Sequence, residues 1–378
     1  MNGLILFSHR WRGGRAGGAE TYAKNLIKGL AAKGHSIVFV TGKTDAGCRP
    51  GLSEGVSAHF ELPFQTINPF DKFKTYRRLA EIIAEHKIEI IHAQHRTAGY
   101  FADLLCRRTR VPYVVTVHDH WRSTPFKRLH GRIFRRLIAV SDYLRQRLIA
   151  RFHFPPERIR TIRNGVDSTR FEGIDRAEAA RFRSSFGVGA DEIVLSQIGR
   201  VSKAKGLFDL LHALKLLPPD LPYRCLIVGE GKTKDRASLE RLAKSLALGP
   251  KVTFCGYQSN IPVVLAATDI LLLPSHREAL GLSIIEAMLS NVPVIAARTG
   301  GVPEIVTHGE NGLLFQTGDI PDLARLILQM VSNTELRRQL AQAGRRIAID
   351  HFLVARMVDE TEAYYQRIVE KSATSANF

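Results

Sequence analysis

The residues best suited to chemistry gather in Pro274-Ser275-His276-Arg277-Glu278-Ala279-Leu280-Gly281-Leu282-Ser283-Ile284-Ile285-Glu286. The apolar run 271–273 before it reads as a strand, and a helix opens near 281–283. The region outside the carboxyl end of a strand is where an open α/β sheet binds ligands. Backbone N–H groups of Leu280, Gly281, Leu282 and Ser283 lack partners at a helix start and suit a phosphate. Glu278 on the loop and Glu286 on the helix, eight positions on (286 − 278), can hold sugar hydroxyls by charge-assisted hydrogen bonds. Each carboxylate has a plainer reading. Ser283-x-x-Glu286 fits a capping box, and Glu278 fits a solvated loop residue.

Three further stretches carry candidate chemistry. Gln197-Ile198-Gly199-Arg200-Val201-Ser202-Lys203-Ala204-Lys205-Gly206 follows one strand and precedes a helix at Leu207. Arg200 and Lys205 there would reach a diphosphate, although a basic β–α turn explains them equally well. Gly13-Gly14-Arg15-Ala16-Gly17-Gly18-Ala19-Glu20 lets a ligand approach the helix starting near Ala19, or is simply a turn. Val117-His118-Asp119-His120-Trp121 ends an apolar strand, where His118 suits a substrate contact better than a metal.

These stretches need a scaffold of strands and helices. Apolar runs at 4–7, 36–41, 88–93, 113–117 and 137–140 alternate with helical patterns at 19–33, 74–86 and 98–108. The theme repeats with runs at 193–198, 223–228, 252–255, 270–273 and 292–297, and helices near 207–217, 233–247, 282–290 and 320–347. Continuous apolar strands alternating with helices indicate parallel sheets covered on both faces, so the expected fold class is α/β with two Rossmann-like domains. The join falls near Asn164-Gly165, and a last helix spans 354–370 before a frayed tail, 371–378.

The 378 residues suffice for two domains. Charge is uneven. Residues 1–165 hold 29 Lys/Arg and 12 Asp/Glu, 29 − 12 = +17, against 25 − 24 = +1 for 166–378. A strongly basic half points to an anionic partner, or only to solubility. Cys48, Cys106, Cys225 and Cys255 form no C-x-x-C pair and read as buried thiols in a reducing compartment. The first strand is too short for a signal sequence, and no apolar run is long enough to span a membrane, which gives a cytoplasmic expectation.

Taken in order, the motifs resemble those of the family 4 retaining glycosyltransferases with the GT-B fold, over nearly the whole chain. The resemblance rests on Gly17-Gly18-Ala19-Glu20, Val140-Ser141, Asn164-Gly165-Val166-Asp167, Gly199-Arg200 with Lys205-Gly206, and Val228-Gly229-Glu230-Gly231. It continues through Phe254-Cys255-Gly256-Tyr257, Glu278-x7-Glu286, Gly300-Gly301-Val302-Pro303-Glu304 and Asn311-Gly312. It implies an acceptor-binding domain of residues 1–165 plus 354–378, with the last helix crossing back onto it. Residues 166–353 would form the donor domain. The implied co-substrate is a nucleotide-diphosphate sugar, UDP-linked by default, with no permanently bound cofactor and no metal.

The resemblance assigns Arg200 and Lys205, beside Gly199, to the diphosphate, Glu286 to the ribose and Glu278 to the sugar hydroxyls. Backbone groups of Leu280, Gly281 and Leu282 would support sugar and phosphates, and Gly229 with Gly256 and Tyr257 would flank the base. Gly17 and Gly18 would let the first domain close over the diphosphate, with His118 beside sugar and acceptor. Glu278, His118, Arg200 and Lys205 are the implied catalytic set.

An anionic, lipid-linked or phosphorylated glycan acceptor at the inner membrane would give the basic half a role. Segments 122–136 and 72–78 mix cations with Phe, Leu, Ile and Tyr and could lie on anionic lipid, or be solvated faces. Competing readings are a nucleotide-sugar epimerase, a sucrose- or trehalose-type synthase, and a nucleic-acid-binding protein. This sequence shows no nucleic-acid recognition motif, and its missing G-x-G-x-x-G disfavours an NAD-dependent dehydrogenase.

Overall fold

The computed structural model describes residues 1–11, 17–45, 55–121 and 133–375. The chain divides into two compact units, Met1–Gly165 with Val354–Phe378, and Val166–Leu353.

The first unit is a seven-stranded parallel sheet. Its strands are β1 (Asn2–Trp11), β2 (Ser36–Thr44), β3 (Ala58–Glu61), β4 (Ile90–Ala93), β5 (Tyr113–Val117), β6 (Leu137–Ala139) and β7 (Ile159–Thr161). Their order is β3-β2-β1-β4-β5-β6-β7. Every residue of β4, β5 and β6 is buried, which is why these strands read as unbroken apolar runs rather than alternating ones.

The helices are α1 (Gly18–Ala32), α2 (Pro69–Glu85), α3 (Arg96–Thr109) and α4 (Asp142–Phe152). Helix α2 begins five residues earlier than the apolar pattern suggests. Asn68 caps it by accepting the Phe70 N–H at 2.9 Å, and Pro69 presets its first turn. The C-terminal helix, Val354–Ser375, lies in this unit. Its Met357, Val358, Tyr365 and Ile368 share one core with Tyr22, Ala23, Leu26, Ile27 and Leu30 of α1. Fully burying such a side chain contributes roughly 1.5–3 kcal/mol, so this helix is part of the unit's core. It is helical through 371–375, where the sequence suggests a frayed tail.

The second unit carries β8 (Ile193–Ile198), β9 (Tyr223–Val228), β10 (Val252–Gly256), β11 (Ile270–Leu273), β12 (Val294–Ala297) and β13 (Leu313–Phe315), all parallel, in the order β10-β9-β8-β11-β12-β13. Its helices are α5 (Arg176–Ser185), α6 (Leu207–Lys215), α7 (Thr233–Ser245), α8 (Ile261–Ala266), α9 (Leu282–Leu289), α10 (Ile320–Ser332) and α11 (Thr334–His351).

The single helix expected over 320–347 is two. Asn333 is extended (φ −128°, ψ 92°), and its side-chain oxygen accepts the Leu336 N–H at 2.9 Å, so it caps α11 and ends α10. The short strands β3, β7 and β13 lie at sheet edges, where runs of three or four residues give little periodicity. Cys225 and Cys255 are buried with thiols pushed up to about 12 by desolvation, whereas Cys106 is only half-buried; Cys48 lies outside the described residues. Among the described residues no helix is long and apolar enough to cross a membrane.

Candidate active site

In the second unit the loops leaving the strands are laced together by backbone hydrogen bonds. The Gly199 N–H donates to Val228 O (2.9 Å), Gly229 N–H to Gly256 O (2.8 Å) and Val201 N–H to Glu230 O (2.9 Å). This brings Gly199, Gly229 and Gly256 to one edge, at the carboxyl ends of β8, β9 and β10. Tyr257, next to Gly256, is exposed.

The loop after β11 is held from both sides. A Cβ on Gly206 would stand 1.8 Å from Pro274 O, and one on Gly300 would stand 1.7 Å from Glu278 O; both glycines have positive φ. Only glycine allows the backbone from β8 and the backbone from β12 to press this closely on the loop. The His276 N–H donates to Ala204 O (2.9 Å), and its ring Nε2 meets Asp209 Oδ2 of α6 (2.6 Å).

Lys205 and Glu278 meet in this clamp although 73 residues separate them: Nζ donates to Oε1 at 2.5 Å, and Ser275 Oγ donates to the same oxygen at 2.8 Å. The Glu278 side chain is 11% exposed and that of Lys205 23%, so the pair is largely shielded from water. Glu278 is therefore an ion-paired carboxylate rather than a solvated loop residue. Arg200 projects from the same β8 loop, exposed and without an ion partner among the described residues.

The capping-box reading of Ser283 and Glu286 is overturned. The cap position of α9 is Gly281, and Ser283 is already the second helical residue, so its side chain does not close the helix start. Leu280 is buried beside this start, and the N–H groups of Leu282 and Ser283 have no preceding turn to donate to. Glu286 lies five residues into the eight-residue helix and is half-buried. Desolvation pushes its carboxyl up to about 7, and Arg170 opposes that shift.

Sequence reasoning gave no role to Ser275, His276, Asp209 or Gln197. Ser275 stands three residues before Glu278, a spacing that signals a local side-chain contact. The His276–Asp209 pair has no local signal. Gln197 on β8 is fully buried, and both polar atoms of its carboxamide lack a hydrogen-bond partner among the described residues. Its Nε2 lies 3.5 Å, and Lys205 Cε 3.6 Å, from the point where a Gly199 side chain would begin.

In the first unit, the strand ends of β1, β4 and β5 gather histidines. His118 Nε2 pairs with Gln94 Oε1 at 2.9 Å, while its buried Nδ1 has no partner among the described residues. The Tyr22 ring stands edge-on to His118 at 4.8 Å, the His95 ring is 6.1 Å away, and the His9 ring is 3.9 Å from that of His95. Burial lowers His118 to about 3, with Asp119 slightly opposing, and also holds His9 below and His95 well below the usual imidazole value. With Nε2–H given to Gln94, neutral His118 offers Nδ1 as an acceptor.

Gly17 takes the cap position of α1 and Gly18 is its first residue; residues 13–16 of that turn lie outside the described residues, as do 122–132 of the basic segment 122–136. Among the described residues, no three His, Cys, Asp or Glu side chains converge as metal ligands.

Two parallel-sheet units with their polar residues at the strand ends define a class, and two family models match it: Glycosyltransferase Family 4 over residues 16–170 and Glycosyl transferases group 1 over residues 179–347. The chain belongs to the group 1 glycosyltransferases of family 4 and has the GT-B fold.

Particular relatives match it over half or more of its length. The N-acetyl-alpha-D-glucosaminyl L-malate synthase of Bacillus anthracis is 26% identical over 374 residues, covering 93% of this chain and 94% of that protein. The lipopolysaccharide core biosynthesis glycosyltransferase LpsE of Rhizobium meliloti is 32% identical, over 56% of this chain and 58% of its own. The crystal structure of Anabaena Alr3699/HepE with UDP and glucose superposes with a TM-score of 0.85 at 24% identity, covering 97% of this chain and 100% of that one.

Proposed function

We propose that this protein is a retaining, metal-independent hexosyltransferase. It would move a sugar from a UDP-linked donor to a lipid-linked or phosphorylated glycan in cell-envelope polysaccharide or lipopolysaccharide synthesis. Val166–Leu353 would hold the donor, and Met1–Gly165 with the C-terminal helix would hold the acceptor at the cytoplasmic face of the inner membrane. The observation that carries the reading is the Lys205–Glu278 pair, clamped beside exposed Arg200 and the open start of α9.

The donor's diphosphate draws Lys205 off Glu278. Lys205 and Arg200 then neutralise the charge that grows on the departing phosphate. The freed Glu278 accepts from sugar hydroxyls, and Glu286, once ionised, accepts from the ribose. Gly199, Leu280, Gly281 and Leu282 give backbone contacts to phosphates and sugar, and Gly229, Gly256 and Tyr257 flank the base.

In the transfer step the acceptor oxygen bonds to the anomeric carbon on the face from which the diphosphate leaves. The anomeric C–O bond to phosphate breaks, and the acceptor proton passes to the departing phosphate oxygen. His118, lowered to about 3 by burial, is too weak a base to take that proton, so its role beside sugar and acceptor would be one of positioning.

Support from relatives is of two kinds. Anabaena Alr3699/HepE was solved with UDP and glucose, and LpsE is named for lipopolysaccharide core biosynthesis. The test is a thermal-shift screen with UDP, GDP, ADP, TDP, CMP and NAD. UDP should raise the melting temperature of the parent, and Lys205→Ala and Glu286→Ala should lose the shift. The absence of a shift with every diphosphate in the screen would overturn the donor site.

A further inference from the structure

We propose that the N-terminal end of α2 is a membrane-docking wedge that seats the first unit on an anionic lipid surface. This deepens the reading of the acceptor as lipid-linked and rests on it for its biological purpose, although not for its physics.

Ile67, Phe70 and Phe73 are 91%, 77% and 63% exposed. Single exposed apolar residues are ordinary, but three large ones within seven positions form a patch that water disfavours. The patch is not a loose end. Buried Phe64, just before it, stands edge-on to Phe101 of α3 at 5.4 Å. Asn68 caps the helix, and Thr75, Leu79, Ile82 and Ile83 bury its opposite face. A fixed helix thus holds the aromatic rings outward.

Charge is arranged to match. Phe70, Phe73, Lys74 and Arg77 fall at i, i+3, i+4 and i+7 and so share one face. Lys72 and Lys74 are exposed and form no ion pair among the described residues. One turn further on, Arg77 is paired with Glu81 (3.1 Å), and Arg78 with Glu81 (3.2 Å) and Glu85 (2.8 Å). Asp71, the acid in the first turn, accepts the Thr66 hydroxyl at 3.2 Å.

Free cations therefore sit at the apolar end of the helix and neutralised ones at the other. Apolar side chains that enter the acyl boundary while ammonium groups stay with phosphates are the pattern of an interfacial helix. The excess of +17 over residues 1–165 favours an anionic surface and disfavours a second copy of the same face.

The test is co-sedimentation of the full chain with vesicles of phosphatidylglycerol and phosphatidylethanolamine, or of phosphatidylcholine alone. The parent should pellet with the anionic vesicles and release as salt rises. Combined Ile67→Ser, Phe70→Ser and Phe73→Ser should lower the partition coefficient by about 10-fold or more. Lys72→Gln with Lys74→Gln should abolish the preference for anionic vesicles.

The UDP thermal shift, measured on the same variants, separates the two readings. Vesicle binding without a UDP shift would leave the docking surface standing and the transferase reading lost; a UDP shift without vesicle binding would do the reverse. A serine variant that pellets like the parent would overturn the wedge, as would one whose only change is conversion of a dimer to a monomer in sedimentation velocity.

Discussion

The two units share one architecture, a parallel sheet with polar residues at its strand ends, yet the ends are furnished in opposite ways. In the second unit they carry mutually paired side chains, Lys205 on Glu278 and His276 on Asp209, with Arg200 exposed at the edge and without an ion partner among the described residues. In the first unit they carry His9, His95 and His118, whose imidazoles desolvation holds below the usual value, with Arg10 paired to Asp45 and Arg96 alongside. A departing diphosphate needs fixed positive charge at the reacting end, whereas a sugar hydroxyl needs only neutral donors and acceptors. The difference teaches that net charge is a poor guide to where ion pairs gather: the neutral half of the chain brings Lys205 and Glu278 together at its strand ends, whereas the basic half gathers a histidine cluster there.

The sharpest way to break this comparison is to remove the cation from the clamp. Lys205→Ala should lower kcat by about 10²–10³-fold, the scale on which one transition-state charge contact acts, in a transfer assay that follows release of UDP. An equal loss in His118→Ala, with Lys205→Ala near the parent, would reverse the roles assigned to the two units.

A second expectation concerns pH. Glu286 is raised from 4.5 to about 7, so the folded protein binds a proton there that the unfolded chain releases. Stability from this group is therefore greatest at low pH and declines as pH rises from about 4.5 through 7. If Glu286 holds the ribose as proposed, donor binding uses the ionised carboxylate, and affinity for UDP should rise through pH 7, by up to about 10-fold per unit below the pKa. Isothermal titration across pH 5.5 to 8.5 (on the order of the range needed to bracket the shift) should show this rise in the parent and a flat profile in Glu286→Gln. If the pH dependence instead persists in Glu286→Gln and vanishes in His118→Asn, the neutrality of the first unit's histidines is wrong.

The smallest effect should come from Gln197. Its carboxamide is buried without partners among the described residues, which costs about 1–3 kcal/mol. Gln197→Leu should raise the stability measured by urea unfolding by about 1 kcal/mol, while Leu195→Ala, on the same strand, should lower it by about 2–5 kcal/mol. A less stable Gln197→Leu would mean that the carboxamide is satisfied in solution, by water or by a partner.

Much of this molecule was legible in its sequence, because the relevant signals are local. Alternation of apolar runs with helical patterns marked both sheets, since a strand buried on both faces must be apolar throughout. The Asn164-Gly165 turn and the change in charge marked the neighbourhood where the second unit begins. The ordered motifs identified the family. Other local signals misled or were too weak. Ser283-x-x-Glu286 imitates a cap, but the cap position is Gly281 and the helix starts at Leu282, and Asn333 reads as one more polar residue until its side chain is seen capping the next helix.

What only the tertiary structure decided are relations between distant segments. Lys205 meets Glu278 because β8 and β11 are neighbours in the sheet, which places the loops after them side by side. Gly206 and Gly300 fix that loop because the backbone after β8 and the backbone after β12 both press on it. The raised carboxyl of Glu286, the unpartnered carboxamide of Gln197 and the outward rings of Phe70 and Phe73 depend on which atoms surround them. Spacing along a chain reports what lies within a few residues; strand order and packing decide what lies across the sheet, and that is where charge, burial and desolvation are set.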